Sequence, residues 1–298
     1  MLARCFLSWW IAGDCLQESE HMRPPISTSA PLDALAAWQS ASSMVAANRD
    51  VMLAIAGVFF LLPSLVFAVF VPAPVMPAGV TGTDAFKLMQ DFYSASFPYL
   101  LAITVLQIAG IQALLIVMTD KAFPTVAQAI GMGFRETPVA LLAQFLFGIG
   151  LGLLLVVVVG LASVTGVPAV ATAATLITIA IGVNLFLRFL LIAPVIAVER
   201  LRNPVAVLRR SWALTRGQVG RLALFFGLAL LLYLVVSSLV MMVVSLILAF
   251  VTQGEVQRVL VAAVSSAITA GAVVYFAAML GAVYRQLIAT APNGAGFE

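Results

Sequence analysis

Histidine and cysteine are almost missing from this chain. It has one histidine, His21, and two cysteines, Cys5 and Cys15. Downstream of Met22 nothing can build a histidine metal site, a histidine-activated nucleophile or a histidine proton relay. A disulfide between the two cysteines is feasible, but a cytosolic N-terminus keeps thiols reduced. Charge is equally scarce, at 9% of residues against about 25% in soluble domains. A soluble catalytic domain needs at least about 50–100 residues of ordinary composition, and no such block occurs. The long apolar runs contain no internal acid, which argues against a proton- or sodium-coupled transporter. No cofactor, metal or nucleic-acid partner is implied.

What is present is apolar sequence. Hydrophobic residues make up 63% of the chain, and the mean hydropathy is +1.14. The solvent for most of it is lipid. Crossing about 30 Å of hydrocarbon takes about 20 residues in a helix. The pattern predicts six spans: Val51–Val71, Phe97–Met118, Pro138–Ala162, Ala169–Val198, Gly220–Val251 and Val259–Ala289. The short loop Ser163–Pro168, with Gly166, predicts a tight hairpin. Pro72–Ser96 reads as a longer extramembrane turn. The expectation is an all-α integral membrane protein with six transmembrane helices and amphipathic cytoplasmic interfacial helices.

Lys and Arg are distributed unevenly. Eleven fall on one side of the expected membrane: Arg23, Arg49, Lys121, Arg135, six between Arg200 and Arg221, and Arg285. The other side has only Lys87 and Arg258. By the positive-inside rule both termini are cytoplasmic. The marked excess of Arg over Lys suggests a GC-rich bacterial genome, and hence a bacterial inner membrane. Residues 1–21 differ from the rest in composition, and translation is expected to start at Met22. A short interfacial anchor and a signal peptide are the alternatives. The expected organisation is then this extension, a cytoplasmic segment 22–50 with an amphipathic helix, a membrane domain 51–289 and a cytoplasmic tail 290–298.

The linkers on the basic side share a plan. Ala122–Glu136 opens at Phe123-Pro124 and spaces Val126, Ile130 and Phe134 four apart. Trp38, Ala41 and Val45 form a weaker stripe before Arg49. A repeated unit of cytoplasmic helix, span, turn and span follows. Leu201–Arg221 opens with Asn203 as N-cap and Pro204 at the first helical position. On a helical wheel Arg202, Arg209, Arg210, Arg216 and Arg221 share one arc. Val205, Val207, Leu208, Trp212, Leu214 and Val219 take the other half, with Ser211, Thr215 and Gln218 among them. Such a helix lies in the interface with Trp212 at headgroup depth, and Gly217 is placed to break it. These arginines orient the chain; they also suit lipid phosphate or a cytoplasmic or membrane protein partner.

Arg188 lies ten residues before Val198, about 15 Å inside the expected fourth span. Asn184 shares its face, and Pro194 is expected to kink the helix. The pair reads either as an anion site or as a snorkelling arginine satisfied by Gln107, Gln112 or Gln144; the second reading is preferred. Asp50, Asp120, Glu136 and Glu199 fall at span ends, where they can pair with neighbouring Arg. Gly148 with Gly152, and Ala277 with Gly281, are small-residue pairs that permit close helix packing.

The stretch FLRFLLIAPVIAVER, followed by NPVAVLRRSWALTRG, resembles the membrane domain of the glycerophosphoryl diester phosphodiesterase family and related uncharacterised bacterial inner-membrane proteins. The resemblance extends to the six-span layout. In fused members of that family the hydrolase is a separate soluble barrel, which has no counterpart here. The resemblance therefore implies a membrane module without the enzyme. The leading expectation is a non-catalytic module that engages lipid headgroups, anionic ones included, or a cytoplasmic partner through the basic helix. The alternative is a transporter or lipid-translocating protein using Asn184 and Arg188; a membrane-associated phosphodiesterase ranks last.

Overall fold

Pro63 sets the character of the first long helix. It has no N–H to give the Phe59 carbonyl, and the helix widens just before it. Gly57–Leu61 is a π-turn in which the Leu62 N–H bonds to the Gly57 carbonyl. The helix as a whole, α2, runs Arg49–Phe70. The turn buries two consecutive phenylalanines, Phe59 and Phe60. It is preceded by α1, Ala34–Ala47, whose N-cap Asp33 accepts from the Leu35 and Ala36 amides at 3.0 and 3.1 Å.

The remaining helices are α3 (Thr83–Thr119), α4 (Val126–Val164), α5 (Pro168–Phe189), α6 (Ile192–Glu199), α7 (Pro204–Thr215), α8 (Val219–Val251) and α9 (Glu255–Thr290). This computed structural model describes residues 32–71, 82–120, 125–251 and 254–290. The N-terminal segment with Cys5, Cys15, His21 and the expected start at Met22, the stretch 72–81, Lys121 with the Phe123-Pro124 pair, and the tail from 291 lie outside the described residues. Six helices are long and apolar enough to cross a membrane, with α5 and α6 together forming the fourth. The chain is an all-α, multi-pass membrane protein.

Several expectations need correction. The linker helix before the third span is not separate. It is the first part of α4, a single helix of 39 residues that continues through Pro138. Thr125 and Gln128 start it with a capping box. Likewise α3 begins at Thr83, so the second half of the expected turn 72–96 is helical. A repeated unit of cytoplasmic helix, span, turn and span therefore does not describe α4. At α1 the buried stripe is Ala37, Ala41 and Met44; Ala41 is as expected, while Trp38 is exposed and Val45 only half-buried.

Leu32–Ile288 forms one compact unit, and its core is concentrated at one end. Buried residues in α3 cluster from Ile108 to Met118, at its C-terminal end. In α4 they stop at Ala143. In α8 they are Leu222, Phe225 and Phe226, close to its start. Five of the eight residues of α6 are buried. These stretches share the end that carries Arg200 and Arg210, here called the basic end. Beyond it α4, α5 and α8 expose Leu, Ile, Val and Phe along their length. Lipid tails are as apolar as leucine, so leaving lipid for a protein core gains little. Leaving water gains about 1.5–3 kcal/mol per large apolar side chain. A dense core at one end and bare apolar helices at the other fit an end that projects from the bilayer.

Glycine permits the closest approach in this core. A Cβ on Gly133 would sit 2.7 Å from the Ala109 carbonyl oxygen, and one on Gly110 2.7 Å from the Phe59 Cβ. The expected pair Gly148 and Gly152 faces open space, with no atom of the chain within 4 Å of either Cβ position. Of the second pair, Ala277 is fully buried, and a Gly281 Cβ would lie in ordinary contact with Leu115 and Thr119 at 3.7 Å.

Candidate functional site

The break after Phe189 organises the basic end. Pro194 cannot donate to Leu190, and the chain turns at Leu190 and Leu191 before α6 begins. The last carbonyls of any helix lack intrahelical donors. Here the Arg188 carbonyl accepts from the Ser211 hydroxyl at 2.8 Å and from the Thr215 hydroxyl at 3.3 Å. Both donors lie on α7, which returns along the break. Asn203 caps α7 through its side chain, accepting from the Val205 amide at 3.0 Å, with Pro204 at the first position. The helix ends at Thr215, and Gly217 follows with φ +80. That left-handed conformation suits glycine.

The Arg188 side chain is engaged locally. Its Nε donates to Asn184 Oδ1 at 3.0 Å, and its guanidinium lies over the Trp212 ring, 4.2 Å from the centroid. Trp212 in turn packs on Phe189 at 5.7 Å between centroids, and Phe189 on Phe147 at 5.1 Å. None of Gln107, Gln112 and Gln144 is the partner; the Gln112 Oε1 is buried with no hydrogen-bond partner among the described residues.

Along α5 the exposed large apolar side chains run from Val167 to Phe186. That is about 20 residues, or about 30 Å of helix, the thickness of the hydrocarbon. On α4 the comparable belt runs from Leu142 to Val164. Arg188 lies two residues past the end of the α5 belt. The residues after Arg188 continue the apolar stretch to Glu199. They are apolar because α6 is buried in protein, with Leu191, Val195 and Ile196 fully enclosed.

The other basic residues separate by role. Arg210, half-buried, donates from Nε to Glu199 Oε1 at 2.8 Å. The same oxygen accepts from the buried Tyr284 hydroxyl at 2.9 Å, which ties α7, α6 and α9 together. Arg200 takes a left-handed backbone at φ 51 and pairs with Asp120 at 3.1 Å. Arg202 lines a cleft of about 240 Å³ with Arg135, Glu136, Arg200, Ile116 and Met132. Arg209, Arg216 and Arg221 are exposed. Of the expected acids, Asp50 pairs with Arg49 at 3.8 Å, while Glu136 makes no ion pair among the described residues.

The buried face of α7 is Val207, Ser211, Leu214 and Thr215. It meets protein, not lipid. Val205 and Trp212 are the large apolar members left exposed. The R-S-W-x-L-T-x-G stretch thus has a structural account at each named position: Arg210 pairs, Ser211 and Thr215 bond, Trp212 stacks, Leu214 is buried and Gly217 turns. The hydroxyl contacts were not foreseen from the sequence. Their signal was the coincidence of Pro194, which breaks a helix, with two hydroxyls four residues apart on the next one. Comparison with protein-family models, with curated proteins and with solved structures finds no match to this chain.

Proposed function

We propose that this chain is a non-catalytic membrane module whose basic end rests against anionic lipid headgroups. The observation that carries this reading is the position of α7. It is docked at the edge of the exposed apolar belt by Ser211, Thr215 and Trp212, and Arg209 and Arg216 are exposed on and beside it. Arginine at that level gains about 1 kcal/mol per residue beside an anionic leaflet. The reading takes the basic end as cytoplasmic, in a bacterial inner membrane, in line with the positive-inside count. It agrees with the resemblance to a diesterase membrane domain that lacks its enzyme. Transport through Arg188 has less support, because that guanidinium already holds Asn184 and Trp212.

The test is the lipid retained by the protein in mild detergent. Anionic lipid should be enriched over zwitterionic lipid around the wild type. The enrichment should fall several-fold in Arg209→Gln/Arg216→Gln. An unchanged ratio in that variant, with thermal stability preserved, would sink the reading.

A further inference from the structure

A groove of about 540 Å³ lies between α1 and the first half of α8. Leu35 and Trp38 form one wall, and Leu224, Leu228 and Leu232 the other, with Arg221 among the lining residues. Trp38 is held in place by stacking on Tyr275, with 6.3 Å between centroids and 16° between planes. Leu224, Leu228 and Leu232 follow one another at i, i+4 and i+8, about 12 Å down one face of the helix. That is most of the roughly 15 Å depth of one leaflet's hydrocarbon.

We infer that this groove holds one acyl chain of an anionic glycerophospholipid, with the lipid phosphate on Arg221. The walls are apolar, and Arg221 is the one charged residue in the lining. It lies three residues before Leu224, so the charge sits at one end of the leucine row. It is exposed and makes no ion pair among the described residues. Asp33, between the lining residues Leu32 and Ala34, has its Oδ1 engaged by the α1 amides. A long apolar slot with one cationic end matches a fatty chain esterified next to a phosphate. A polar small molecule would find a single charged partner there. The inference rests on the headgroup reading for the orientation of the chain. It adds a defined site that the exposed arginines of α7 do not require.

Vesicles containing phosphatidylglycerol or phosphatidylcholine with brominated acyl chains provide the probe, because bromine quenches tryptophan at contact. The Trp38 signal is the difference between the wild type and Trp38→Phe, since Trp9, Trp10 and Trp212 remain in both. Brominated phosphatidylglycerol should quench it with about a fivefold preference, the factor equivalent to about 1 kcal/mol for one arginine at an anionic surface. Arg221→Gln should abolish the preference while Tm in detergent stays the same. Equal quenching by the two lipids, or a preference unaltered in Arg221→Gln, means ordinary boundary lipid and overturns the inference. So does quenching that appears only when residues 1–21 are deleted, since the chain's own N-terminal segment would then fill the groove. Arg209→Gln/Arg216→Gln should leave the Trp38 preference intact, which separates failure of this site from failure of the headgroup platform.

Discussion

The guanidinium of Arg188 lies 4.2 Å from the centroid of the Trp212 ring, joining the end of α5 to α7. The contact lies at the end of the exposed apolar belt of α5. An exposed cation–π pair contributes about 0.5–1 kcal/mol. A double-mutant cycle with Arg188→Gln and Trp212→Leu, read by unfolding in detergent, should return a coupling of that size. Arg188→Lys should lose part of it, because an ammonium does not stack as a planar guanidinium does. A coupling near zero would mean that the two residues are neighbours without being partners.

Ser211 should matter more for stability than any exposed arginine of α7. Its hydroxyl is fully buried and donates to a helix-end carbonyl at 2.8 Å. Ser211→Ala removes the donor and leaves that acceptor with the weaker Thr215 bond at 3.3 Å. A loss of about 1–2 kcal/mol is expected. Thr215→Val should cost less, because the Thr215 hydroxyl also bonds back to Ser211 within its own helix at 3.0 Å. Thermal melts of the two variants check both the size and the order.

Local chemistry was legible in the sequence, and tertiary partners were not. Asn203 and Pro204 start α7, Gly217 follows its end, Gly166 turns the hairpin and Pro194 marks the break, all as their backbone preferences dictate. Acids at span ends do find arginines, as Asp120 and Glu199 show. Apolar sequence has the same composition whether lipid or protein covers it, so the burial of α6 in protein was not legible. Pro138 was taken for a boundary between a linker helix and a span for a similar reason: proline at a first position and proline inside a long helix look alike along the chain. The hydroxyl contacts of Ser211 and Thr215 depend on a carbonyl 23 and 27 residues upstream, which no local pattern reports.

Glu199 is the junction of three helices, accepting from Arg210 and Tyr284 through one oxygen. Tyr284→Phe deletes one bond in a buried setting and should cost about 1 kcal/mol. Glu199→Gln removes the counter-charge of a half-buried arginine as well. It should cost about 1–3 kcal/mol, at the level of hydrogen bonds to charged groups. In the Arg210→Met/Glu199→Gln double variant the loss should be smaller than the sum of the single losses, because neither charge is left alone. Additive losses measured by unfolding would show that the pair is too well solvated to act as a junction.

Gly133 and Gly110 provide the sharpest test of where the helices meet. Replacing helical glycine by alanine gains up to about 1 kcal/mol where space is free. At Gly148, Gly150 and Gly152 the space is free, with nothing within 4 Å of the added carbon. Alanine there should leave the protein as stable or slightly more so. At Gly133 the same carbon would approach the Ala109 carbonyl oxygen to 2.7 Å, and backbone cannot swing aside as a side chain does. At Gly110 it would approach the Phe59 Cβ and the Phe60 ring at 2.7 and 2.9 Å. Forced overpacking of a core costs about 1–3 kcal/mol or more, so Gly133→Ala and Gly110→Ala should lower Tm and yield. Should the Gly148 and Gly152 variants be the damaging ones instead, those glycines must pack against a second copy or another protein, and the close contact of α3 with α4 would not be the one that holds the basic end together.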